Sequence, residues 1–368
     1  MQHSLTHDPS AFDWQQRTRL VVGAGSLARL GELAAELGGK RALVVTDSGI
    51  VAAGHAEKAC DFLRKAGLTV TMDDEVRENP TTSDVARCVA IAKEAGADIL
   101  IGLGGGSSMD TAKGANFILT NGGEMKDYWG VGRATKPMLP MIAIPTTAGT
   151  GSECQSAALI ADETTHQKMA CLDPKAAARI AILDPVLTLS QPPRVTACTG
   201  IDALAHAVES AVTKKRTALS AVFSKEAFRL CAHALPQVLA DPTDLAARGA
   251  MQLGAAHSMA NPLTAHHGVV HGQAVGIVLP HVVRFNAHIA GIYGDFLAAN
   301  GLRDAEHLAT TLEHLLTLSG LRAPLREFGV TRENIPALAE EAAYQWTANF
   351  NPRPLTTTDF VWLYTHAL

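Results

Sequence analysis

Four side chains in the C-terminal half have the donor types and spacing of a metal site. Asp202 and His206 stand four residues apart in GIDALAHAVES, so on a helix a carboxylate oxygen and an imidazole nitrogen project side by side. His257 and His271 follow in HSMANPLTAHHGVVHG, and with the first pair they could complete a shell of one carboxylate and three imidazoles. Such a set suits Fe²⁺ or Zn²⁺ and leaves a position for a substrate oxygen. Glu209, seven residues after Asp202 and near the same helical stripe, reads as a partner that orients a ligand. In a chain with 15 histidines one Asp-x-x-x-His pair says little by itself. Its weight comes from a second motif upstream.

That motif is ILIGLGGGSSMDTAKG, an apolar strand running into Gly104, Gly105 and Gly106, with Ser107 opening a helix that carries Asp110 and Lys113 in its first turns. Glycines let a backbone approach a pyrophosphate closely, and the free N–H groups of the helix start point at it with a favourable dipole. IAIPTTAGTGSE ends another strand with Thr146, Thr147, Gly149, Thr150 and Gly151, which offer hydroxyls and amides to the ribose and phosphates of a dinucleotide. Asp47 closes the strand RALVVTD, where a carboxylate can accept both ribose hydroxyls of an adenosine and repel a 2′-phosphate. NAD(H) is therefore favoured over NADP(H). The competing reading is that Asp47 caps the following helix.

Positioning these groups requires an α/β scaffold. From about residue 19 to 185, short β-branched runs (LVVG, RALVVTD, LTVTMDD, DILIGLGGG, MIAIPTT) alternate with helical patterns, as in a parallel sheet. SDVARCVAIAKEAG sets Val85, Cys88, Val89 and Ala92 at helical spacing, a stripe able to cover that sheet. After Pro192 and Pro193 the pattern changes to long Ala- and Leu-rich helices. The expected organisation is a Rossmann-like α/β dinucleotide-binding domain over residues 1–193 and an all-α metal and substrate domain over 194–368. With 368 residues, 47% hydrophobic and 18% charged, the chain has the composition of a globular enzyme. A formal charge of −5 argues against nucleic acid or an acidic membrane as partner and fits small polar or neutral substrates. Six widely spaced cysteines without C-x-x-C, no leader pattern and no apolar run of membrane-spanning length point to a reduced, cytoplasmic protein.

With GGGSSMD, PTTAGTGSE, GIDALAHAVES and HGQAVGIVLPHVVRFN in this order, the chain resembles the iron-containing (group III) alcohol dehydrogenases over nearly its whole length. The resemblance implies a dehydroquinate synthase-like fold with the active site in the cleft between the two domains. It implies a metal-dependent, NAD(P)-linked alcohol dehydrogenase or aldehyde reductase. Carried across, Asp202, His206, His257 and His271 are the metal ligands. Asp47, Asn79, Gly105, Gly106, Ser107, Asp110, Thr146, Thr147, Lys168 and Leu187 are cofactor-contacting positions. His257 is preferred over His266 and His267 because it lies 14 residues before His271, the family's interval. Relatives form homodimers or larger assemblies and act on small alcohols or aldehydes.

Two departures from the pattern stand out. Where many relatives carry a histidine four residues after the third ligand this chain has Asn261, whose amide cannot shuttle protons at neutral pH, so His267 is a candidate relay. The segment ARGAMQLGAAHSM is also shorter than in relatives, which leaves the expected alcohol pocket more open or rebuilt. Alternative readings are a dehydroquinate synthase-like sugar-phosphate cyclase and a catalytically impaired NAD-binding member; the first would need a basic phosphate pocket, which the helical half does not display.

Overall fold

A computed structural model describes residue 12 and residues 15–165, 167–252 and 271–368. His257, Asn261, His266 and His267 lie outside the described residues, as does the end of the shortened segment beyond Gln252. By chain contacts the described residues fall into a sheet unit, Gln15–Thr147 with Gly151–Gln191, and a helical unit built from Pro192–Leu368 together with Ala148–Thr150.

Among the described residues nine strands form in the sheet unit: β1 (Arg19–Val22), β2 (Arg41–Val45), β3 (Thr69–Asp73), β4 (Ile99–Gly104), β5 (Gly130–Val131), β6 (Met141–Pro145), β7 (Ala157–Ala161), β8 (Lys168–Leu172) and β9 (Ile180–Leu183). Six of them make an all-parallel sheet in the order β1-β9-β6-β4-β2-β3. β4 and β6 are buried at every position, as a strand covered on both faces must be, which is why their sequences read as unbroken apolar runs. The helices of this unit are α1 (Leu30–Glu36), α2 (Ser48–Ala52), α3 (His55–Lys65), α4 (Thr82–Glu94) and α5 (Gly106–Asn121). α4 starts at a capping box between Thr81 and Asp84 and buries Val85, Cys88, Val89 and Ala92, the stripe read from the sequence. Each of the two valines stabilises the unit by about 2 kcal/mol through burial. α4 and α5 lie close because Gly114 carries no side chain where a Cβ would crowd Val85 and Ile160.

The other three strands, β5-β8-β7, form a small mixed sheet that the β-branched pattern does not announce. β7 (AALIA) and β8 (KMACL) pair antiparallel with Ala161 opposite Lys168. Ala161 also bridges Thr81, and its N–H donates to the Pro80 carbonyl at 2.9 Å. This register carries Lys168 to the turn that holds Asn79.

In the helical unit the described helices are α6 (Pro193–Val212), α7 (Ala218–Ala240), α8 (Leu245–Met251), α9 (His271–Asn286), α10 (Gly294–Ala299), α11 (Ala305–Leu318), α12 (Ile335–Tyr344) and α13 (Thr357–Ala367). α6 has Pro193 at its first position and is apolar nearly all round, so it lies at the centre with α7 and α9 against it. Small residues allow that approach. A Cβ at Gly272 would collide with the Cys198 carbonyl, and one at Gly276 would press on Ile201. Gly149 rests in the same way on the carbonyl of Thr199, which explains why Ala148–Thr150 groups with the helices. No helix among the described residues is long and apolar enough to cross a membrane, and none of the six cysteines is in a disulfide.

Candidate functional site

The glycine loop ends β4 and opens α5. Gly104 adopts φ 147°, where a side chain would strain the backbone, and a Cβ there would also meet Ser108. The Thr146 N–H donates to the Gly104 carbonyl at 2.9 Å, so the loop after β6 starts alongside the glycines. Thr147 lies across from Gly105, with its Oγ1 about 4.0 Å from where a Cβ would stand. The Thr147 and Ser108 hydroxyls are enclosed and have no partner among the described residues. Buried hydroxyls beside a helix N-terminus, with their hydrogen-bonding capacity unspent, fit a polyanionic ligand.

Asp47 is the cap of the helix that follows it, one of its two readings. Its Oδ1 accepts from the Gly49 and Ile50 N–H groups at 2.9 and 3.1 Å, capping α2. Its Oδ2 lies about 3.3 Å from the position of a Cβ on Gly104, so the second oxygen faces the glycine loop. Asn79 is the one non-glycine residue with positive φ among the described residues, at 53°, a conformation its short polar side chain tolerates. Its N–H donates to Ser107 Oγ at 3.3 Å, and its Oδ1 accepts from Lys168 Nζ at 3.2 Å. Ser107, Asn79 and Lys168 therefore form one chain at the start of α5. The turn is held by Asp84, which accepts from Arg77 at 2.9 and 3.0 Å, from the Thr81 N–H at 2.9 Å and from Arg87 at 3.1 Å. Burial alone would raise the proton affinity of Asp84, but these donors outweigh it and bring its pKa down to about 2.

Two of the expected cofactor positions have side chains engaged within the fold. The Asp110 carboxylate is spent inside the unit, accepting from Ser152 Oγ at 2.6 Å and from the Leu159 N–H at 3.2 Å. The Leu187 side chain is buried in the core with Leu27, Leu30 and Ile182. Lys113, in the first turns of the helix behind the glycines, is fully buried and turned toward Ser152. Ser152 and Glu153 were not singled out as site residues. The available signal was the charge pair Asp110 and Lys113 on a helix whose residues 108–117 are otherwise all apolar or small and neutral.

In the helical unit, Asp202 and His206 are both buried on α6, with Asp202 Oδ2 at 3.5 Å from His206 Nε2. An acid and an imidazole inside an apolar helix are costly unless partnered, and one carboxylate beside one imidazole is the donor chemistry of half a transition-metal shell. These two residues thus fit the metal that the resemblance implies. His271 is the first residue of α9, and the contact of Gly272 with Cys198 brings it beside the turn of α6 that precedes Asp202. Among the described residues no group of three His, Cys, Asp or Glu is arranged to hold a metal ion. Burial, and then repulsion from Asp202, holds the Glu209 carboxyl well above the usual carboxylate range. It borders a small cavity with Val275, Leu279 and Asn351.

Family comparison covers both units. The iron-containing alcohol dehydrogenase family matches residues 17–185, and the C-terminal part of the Fe-containing alcohol dehydrogenase family matches residues 196–368. The chain belongs to the iron-containing alcohol dehydrogenases. It is accordingly an oxidoreductase of the alcohol–carbonyl couple, and the cyclase reading falls away. The chain is 34% identical to an NAD-dependent methanol dehydrogenase of Bacillus methanolicus over 95% of its own length and 97% of the relative's. It is 34% identical to a lactaldehyde reductase of Escherichia coli K12, covering 93% and 96% of the two chains. A solved 1,3-propanediol oxidoreductase superposes with a TM-score of 0.92 at 31% identity, over 97% of this chain and all of that one. As an iron-containing alcohol dehydrogenase the chain has the family's α/β unit followed by its helical unit, as its motifs imply.

Proposed function

We propose that this iron-containing alcohol dehydrogenase interconverts a small alcohol and its aldehyde with NAD(H), using a divalent metal held by Asp202, His206, His257 and His271. The observation that carries the reading is the buried Asp202–His206 pair on α6. When bound, a divalent metal supplies Lewis acidity at the substrate oxygen, and the dinucleotide supplies or takes the hydride. Iron is the metal favoured by the family, with Zn²⁺ as the alternative.

The chain's own contributions follow from the two units. Asp202 brings negative charge to a cation while His206 adds a neutral donor, and the apolar walls of α6 strengthen both interactions by excluding water. Asp47 uses one oxygen to cap α2 and keeps the other toward the glycine loop. That arrangement suits an unmodified ribose and disfavours a 2′-phosphate, in line with NAD(H) as the preferred coenzyme. Thr147, Ser108 and the first N–H groups of α5 offer donors to a pyrophosphate. Alcohol oxidation releases one proton with the hydride, and because Asn261 cannot carry it, His267 is the proposed carrier. The expected quaternary state is a homodimer or larger homo-oligomer.

The test is metal analysis of the purified chain coupled to NADH and NADPH oxidation over a panel of short aldehydes. D202A and H206A are expected to lose metal and at least a thousandfold in turnover while NADH still binds. Full turnover in either variant, or a clear preference for NADPH, refutes the corresponding part of the proposal.

A further inference from the structure

We propose that Lys113 is a positioning residue for the dinucleotide: its buried ammonium ties the helix that opens on the glycine loop to the segment that follows β6. The proposal rests on reading that glycine loop as the coenzyme site. A lysine in the first turns behind a glycine loop stands where it could reach a bound phosphate. Instead it is fully buried, and its three N–H donors go to the Ser152 carbonyl at 2.6 Å, Ser152 Oγ at 2.8 Å and the Ala157 carbonyl at 3.0 Å. No donor remains for a ligand.

The same hydroxyl links the next member. Ser152 Oγ accepts from Lys113 and donates to Asp110 Oδ1 at 2.6 Å, while Asp110 Oδ2 accepts from the Leu159 N–H at 3.2 Å. Lys113 Nζ lies 3.7 Å from Asp110 Oδ1, so the two charges offset each other inside the unit. Gly106, Asp110 and Lys113 occupy successive turns on one side of α5, so a single rigid helix presents the anion-binding N–H groups at one end and grips Ser152 and β7 with the next two turns.

Between β6 and Ser152 runs the segment TTAGTG, which has no regular secondary structure and includes Gly151 at φ 64°. It is tied to the glycine loop at one end by the Thr146 N–H bond to Gly104 and at the other by the grip of Lys113 and Asp110 on Ser152. Between the ties Gly149 rests on the Thr199 carbonyl, so releasing the second tie loosens the stretch around Gly149 and with it the placement of Thr147 beside Gly105. A buried ammonium is costly to desolvate, and an apolar residue of the same length would fill the space more cheaply. The charge is explained by what it fixes, which is the spacing of two loops that must hold one pyrophosphate.

The experiment uses the full chain, with NADH binding followed by its fluorescence and steady-state kinetics run with NAD⁺. S152A, which removes the shared hydroxyl, is expected to raise the NADH Kd and the NAD⁺ KM about five- to tenfold, with kcat at saturating coenzyme within about twofold of the parent. S152T, which restores the hydroxyl, is expected to recover most of that loss. K113M should shift Kd and KM further in the same direction, and if it does not fold, S152A and S152T decide. L63A, a cavity in the core of the same unit away from these loops, should lower Tm while leaving the NADH Kd unchanged. The inference is overturned if S152A binds NADH as the parent does, if S152T is no better than S152A, if L63A weakens NADH equally, or if kcat falls at unchanged KM. A parent chain that does not bind NADH overturns the coenzyme reading and this inference together, whereas a parent that binds and variants that do not differ from it overturn this inference alone.

Discussion

Glu153 offers a test of the buried network through stability. It is 5% exposed, its Oε2 has no partner among the described residues, and burial pushes its carboxyl up to about 7 against the opposing pull of its own N–H and of Lys113. In the unfolded chain the same group ionises near its ordinary 4.5. Between these two values the folded protein holds a proton that the unfolded chain has released, so stability falls as pH rises. The contribution is fully present below about 4.5 and gone above about 7. At about 1.4 kcal/mol per tenfold change in proton affinity the loss is about 3 kcal/mol. With the usual unfolding entropy per residue this corresponds to about 4 °C in Tm if the whole chain melts together, and about 8 °C if the sheet unit melts alone. E153Q removes the titration and keeps the shape. Its amide needs a partner of its own, so the absolute Tm of the variant is not the readout. The readout is the difference in Tm between variant and parent, followed by calorimetry from pH 5 to pH 8, where every other titration cancels. That difference should move in favour of E153Q by several degrees as pH rises. Parallel curves across the interval would refute the assignment of Glu153 as a buried, proton-holding acid.

Two further outcomes test the frame around the sites. G272A drives a methyl into the Cys198 carbonyl of α6, backbone that cannot step aside, so it should cost roughly 1–3 kcal/mol and reduce retained metal by shifting the start of α9 with His271; parental Tm and metal content would exclude this. D84N removes a carboxylate whose folded pKa of about 2 lies below its ordinary 3.8, so the parent should lose about 2 kcal/mol as pH falls from about 4 to 2 and the variant should not; coincident acid-unfolding curves would count against the Asp84 clamp.

The parts of this molecule that could be read from its sequence are those whose signal is local. An apolar run of strand length followed by glycines announces β4 and the start of α5, and the spacing of Val85, Cys88, Val89 and Ala92 announces the buried face of α4. Asp202 and His206 are legible for the same reason, since helical periodicity alone places them side by side. Strands β7 and β8 were missed because AALIA and KMACL carry few β-branched residues, and their pairing is decided across the chain by Ala161, Pro80 and Thr81. Asp47 could be assigned to the ribose or to the helix cap, and the sequence has no means of saying that one oxygen caps the helix while the other faces the glycine loop.

Lys113 marks the limit most clearly. A lysine two turns into a helix behind three glycines stands where it could reach a bound phosphate, and residue type and distance along the chain are all that spacing reports. Its direction depends on α5 being covered on every side, with residues 108–117 buried, so that any charge among them must find partners within the fold. Ser152 supplies those partners from 39 residues away in sequence. Asp202 and His206 are equally enclosed on α6, where most of the helix's buried residues are alanine, leucine, valine and isoleucine, and the carboxylate and the imidazole stand 3.5 Å from each other. A buried ammonium whose three donors all end on carbonyls and a hydroxyl is a structural tie, whereas a buried carboxylate beside an imidazole is the donor pair of a transition-metal shell, and that difference in chemistry separates the positioning network from the proposed metal site.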